Sequence, residues 1–96
     1  MDSLRARDYF SEFMTRRWDD GLENFTNDIS VILKRAPGVL IVMDEVKFMS
    51  ISFFDEIFRR LSKKGVAGID FKLVQFSTKL DAPYLEHLEQ LKKLLP

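Results

Sequence analysis

The stretch Met49-Ser-Ile-Ser-Phe-Phe-Asp-Glu56 gathers the side chains of this chain best suited to chemistry. Ser50 and Ser52 carry hydroxyls two residues apart, and Asp55 and Glu56 add carboxylates just downstream. Such a corner can be a reaction site, a phosphorylation switch, a docking surface, or a helix cap over a core. Ser52 followed three residues later by Asp55 has the form of a capping box, with Asp a weaker partner than Glu. A phosphate at this corner would add about −1.5 to −2 charges beside Asp55 and Glu56. A catalytic set is harder to assemble. His87 is the only histidine and there is no cysteine, so a dedicated zinc or copper site is not expected. No acid-base pair around His87 suggests nucleophilic catalysis, and we place it on the polar face of the last helix. The four glycines form no phosphate loop. We expect no enzyme, no catalytic residues and no cofactor. Asp44 closes the apolar run Val39–Met43, at the kind of edge where α/β proteins bind ligands. A receiver-type phosphorylated aspartate there would need an acidic pair after an earlier strand, so we read Asp44 as a solvated loop acid.

These residues need elements to hold them. Ninety-six residues fit one domain with a modest core. Acids and bases balance at 15 each, so no net field draws the chain to nucleic acid or an anionic membrane. Basic side chains are dispersed, and Arg16, Arg17 and Trp18 alone suggest a nucleic-acid contact, without any recognisable motif. The longest apolar run is five residues, no secretory signal is visible, and the lack of cysteine fits a reducing, cytoplasmic setting.

Along residues 4 to 18, Leu4, Phe10, Phe13, Met14 and Trp18 recur at helical steps, which predicts a helix. The competing reading makes Tyr9–Thr15 a strand. Asp20 is a candidate N-cap for a second helix striped by Leu22, Phe25, Ile29, Ile32 and Leu33, which Pro37 and Gly38 stop. "VLIVM" reads as a strand covered on both faces. A helix over Ser52–Lys64 follows, closed by Gly65. It carries a stripe of Phe54, Ile57, Phe58 and Leu61, with Asp55 and Glu56 in its first turn. Phe53 points off that stripe, either tucked under a loop or exposed in a contact patch. "IDFKLVQF" is the next strand, and Asp81 and Pro83 start a last helix striped by Leu85, Leu88, Leu91 and Leu95. Strand, helix, strand is the order of a right-handed crossover unit.

From Val39 to about Leu94, the order "VLIVMD", "VKFM", "SIS", "FFDEIFRRLSKKG", "IDFKLVQF", "YLEHLEQLKKLL" resembles a STAS domain, the fold of bacterial anti-sigma-factor antagonists. "SFFDEIF" looks like a STAS-like variant in which a Ser-Phe pair leads into an Asp-Glu pair, and "DDGLENFTNDISVIL" is similar to the first STAS helix. The antagonist corner reads Asp-Ser-Ser-Gly. Aligned on "VKFM", the family's phosphoserine falls on Ile51 and its glycine on Phe53, so the acceptor is not retained in place and Ser50 is its candidate substitute.

The resemblance implies a single α/β domain over 1–96 with a reduced sheet, a βαβ unit and packed helices. Residues 1–19 extend a core of 20–96. It further implies a regulatory protein-protein interaction module whose partner is a kinase-like or sigma-regulatory protein. We expect docking through Met49, Ser50, Ser52, Phe53, Asp55 and Glu56. Met49 and Phe53 would be apolar anchors, and the two acids a rim selecting a basic partner. The alternative is a self-assembling subunit, a homodimer formed through an open sheet edge or the Trp18-bearing first helix.

Overall fold

The computed structural model describes residues 2–10, 13–14, 19–66, 72–79 and 81–94. It is a small α/β domain. The elements run β1 (Asp2–Arg5), a 3-10 turn (Ala6–Asp8), β2 (Phe13–Met14), α1 (Asp19–Leu33), β3 (Val39–Val42), β4 (Phe48–Met49), α2 (Ile51–Lys63), β5 (Val74–Phe76) and α3 (Ala82–Leu94).

Three strands form a parallel sheet in the order β1-β3-β5, with Leu4 beside Ile41 and Ile41 beside Phe76. The "VLIV" segment is thus the central strand. Its exposure alternates: Val39 and Ile41 are buried, while Leu40 and Val42 are half-buried. The strand is thus covered on both faces, as the continuous apolar run predicts, fully on one and in part on the other. The predicted βαβ unit is present as β3-α2-β5, and β1-α1-β3 is a second one. β2 and β4 pair separately, also in parallel.

The helix predicted over 4–18 is absent from its described part. Asp2–Arg5 pairs with β3, Ala6–Asp8 turns, and the alternative strand reading of Tyr9–Thr15 holds at Phe13–Met14. Backbone pairing to the central strand outweighs a helical spacing of only a few apolar residues. Residues 15–18, with Trp18, lie outside the described residues, as do residues 69–71 of the predicted strand 69–76, and Lys72 and Leu73 form a 3-10 turn instead of strand. Of that strand, Val74–Phe76 is observed.

α1 includes Asp19 and Asp20, so Asp20 lies inside the helix rather than before it. Leu22, Phe25, Ile29 and Ile32 are buried as the stripe predicts. Two buried hydroxyls on α1 are satisfied locally. Thr26 donates to the Leu22 carbonyl at 2.8 Å and Ser30 to the Asn27 carbonyl at 2.8 Å.

α2 is the organising element. Phe53, Phe54, Ile57, Phe58 and Leu61 are all buried on it. The adjacent phenylalanines serve two different clusters. The Phe53 ring meets Phe10 edge-on at 4.9 Å, and Phe10 in turn meets Phe25 at 5.1 Å. The Phe54 ring meets Phe58 at 4.9 Å and Tyr84 at 5.4 Å. The helix ends in a Schellman motif: Val66 N–H donates to the Leu61 carbonyl, Gly65 N–H to that of Ser62, and Gly65 takes φ +91°.

Candidate functional site

The three sheet strands point the same way, so their carboxyl ends share one edge. β3 leaves that edge through a tight turn in which Val46 N–H donates to the Met43 carbonyl at 3.1 Å. Glu45 occupies this turn at φ +67°, a left-handed conformation that ordinarily favours glycine or asparagine. Its carboxylate lies 3.5 Å from Arg5 and 3.8 Å from Arg7. β4 then brings the chain back, with Ser50 N–H donating to the Met14 carbonyl at 3.1 Å. Across the edge, Ser77 ties β5 to β3 twice. Its N–H donates to the Ile41 carbonyl at 2.9 Å, and its hydroxyl accepts from Met43 N–H at 2.8 Å.

Between these segments lies an open groove of about 380 Å³. Met43, Val46, Met49 and Tyr84 contribute its apolar wall, and Lys47, Lys79 and Asp81 stand around it. The Tyr84 hydroxyl donates to the Met49 carbonyl, which fixes the phenol ring and joins α3 to β4. Burial, and then the charge of Asp81, raise the Tyr84 pKa above its ordinary value. At the mouth stands Phe48, 52% exposed although it is large and apolar.

The predicted site residues divide around this groove. Met49 lines it but is largely buried, and Phe53 does not line it: it is fully buried against Phe10. Phe53 is therefore not a surface anchor; of the two placements expected for it, the inward one holds. Ser50, not Ser52, caps α2: its hydroxyl accepts from Phe53 N–H at 3.1 Å. The cap thus falls two residues earlier than the capping-box spacing implies, and Phe53 and Phe54 both turn inward. Ser52 is exposed, with its hydroxyl 3.3 Å from that of Ser50. Asp55 and Glu56 fall beyond the first turn, and each is engaged internally. Glu56 accepts from Arg60 at 3.0 Å, and Asp55 lies 3.1 Å from His87 Nδ1. The expected acidic rim for a basic partner is thus spent on contacts within the fold. Asp44 is an exposed turn residue, as the sequence implies.

His87 is also corrected: it is half-buried and faces α2 instead of standing on a polar face. The α3 stripe turns accordingly. Tyr84 and Leu88 pack on the core, while Leu85 is 49% exposed. The side chain of Leu91 and all of Leu95 lie outside the described residues. Sequence reasoning missed Phe48, Lys47, Lys79 and Tyr84. The signal for Phe48 was its two-residue alternation with Met49, since an inward Met49 obliges an outward Phe48.

A second charged cluster joins α1 to α2. Glu23 accepts from Arg60 at 2.9 Å and also from Lys64, and these contacts, led by the Lys64 hydrogen bond, lower its pKa. Among the described residues, no group of three His, Asp or Glu side chains is placed to hold a metal ion. No described helix is long and apolar enough to cross a membrane. Comparison with protein-family models, with curated proteins and with solved structures returns no match to this chain.

Proposed function

We propose that this domain is a non-enzymatic, STAS-like regulatory module that docks a protein partner at the carboxyl-edge groove. The observation that carries the reading is Phe48. Half of a large aromatic side chain is left in water at the mouth of an apolar groove. Exposed aromatics beside a concavity are the usual anchors of protein recognition. The groove walls are held by the Ser77, Ser50 and Tyr84 hydrogen bonds, so little ordering cost falls on binding. Of the corner at Met49–Phe53, Met49 keeps a part in this reading as a groove-lining side chain. Ser50 lies at its edge, and phosphorylation there would add charge beside the docking surface.

The test is site-specific photocrosslinking in the native host, with a benzophenone amino acid at position 48 and, as control, at position 31. Val31 is 54% exposed on α1 and outside the groove. The expected result is a discrete crosslinked protein from position 48 and none from position 31. Crosslinks of the chain to itself would favour the self-assembling alternative. Identical patterns from both positions would overturn the assignment of the groove.

A further inference from the structure

We draw no further inference here: the strongest candidate, the apolar groove at the carboxyl edge of the sheet with Phe48 at its mouth, belongs to the site already described, and nothing in the structure shows what covers it.

Discussion

α2 has two flanks, and they are built differently. On the α1 flank, Phe53 meets Phe10, which in turn meets Phe25, with Leu22 and Ile29 buried in the same core. Glu23 ties the helices together across Arg60 and Lys64. On the α3 flank, Phe54 meets Tyr84 and Phe76, but none of the α3 side chains described is fully buried. Tyr84, His87 and Leu88 are half-buried, and Leu85 faces water. The groove opens on this second flank. Among the described side chains, one phenylalanine of the pair therefore packs across its flank against buried neighbours and the other against half-buried ones.

The largest expected effect tests the α1 flank. Phe53→Ala removes a fully buried ring at the junction of α1, α2 and the Tyr9–Phe10 turn. It should cost about 3–5 kcal/mol, a large share of a stability of about 5–15 kcal/mol for a domain of this kind. Leu85→Ala on α3 should stay within about 0.5 kcal/mol. Urea unfolding of the two variants measures the contrast directly. Equal losses would mean that α3 is as firmly packed as α1.

Gly21→Ala probes the same flank by overfilling it. Alanine normally favours a helix over glycine, yet a Cβ at position 21 would lie 2.4 Å from the Tyr9 carbonyl oxygen and 3.1 Å from the Phe10 ring. The backbone oxygen cannot swing aside as a flexible side chain could. The substitution should destabilise by about 1–3 kcal/mol, with loss of the Phe10–Phe53 contact visible as altered near-ultraviolet dichroism. A stabilised variant would show that the Tyr9–Phe10 turn yields.

A smaller effect separates the two serines. Ser50→Ala removes the α2 cap and should cost about 0.5–2 kcal/mol, whereas Ser52→Ala, at an exposed helical position, should fall within about 0.5 kcal/mol. Thermal melts rank them, and the reverse order would restore the later helix start read from the sequence.

These residues also show what the sequence could and could not disclose. The α/β class, the central strand, the span of α1 and the glycine stop of α2 were legible, because each rests on a local signal: an apolar run, a period, or Gly65 at a helix end. Phe53 was partly legible, since it stands four residues before Ile57 and so borders the Phe54, Ile57, Phe58, Leu61 stripe on the same helix. The start itself was ambiguous because two hydroxyls two residues apart both suit a cap, and packing chose between them. β1 was hidden for another reason. A four-residue strand at the sheet edge carries little alternation of its own and is made by its pairing with β3. The groove was least legible of all. Lys47 and Lys79 are 32 positions apart in sequence and meet only because parallel strands end on the same edge.

The two tyrosines, the only ones in the chain, report one flank each. Tyr9 lies on the α1 flank and donates to Asp28; burial, followed by that hydrogen bond and the Asp28 charge, pushes its pKa far above the ordinary value of 10.0. Tyr84 lies on the α3 flank, and its pKa is raised chiefly by burial. A phenol whose folded pKa lies above its unfolded value holds its proton more tightly in the native state. Its contribution is therefore complete below about pH 10 and is lost as pH rises through the folded pKa. Tyrosinate absorbance at 295 nm should rise in two steps above pH 10, with Tyr84 ionising before Tyr9. Ionisation of Tyr84 ends its donation to the Met49 carbonyl and sets an anion near Asp81, so the first step should loosen α3 while the α1 flank stays folded. Tyr84→Phe removes the first step and Tyr9→Phe the second. Hydrogen exchange across α1 and α3 at the first step decides the matter: protection lost in α3 alone supports two unequal flanks, and loss in both at once would make the domain a single cooperative unit.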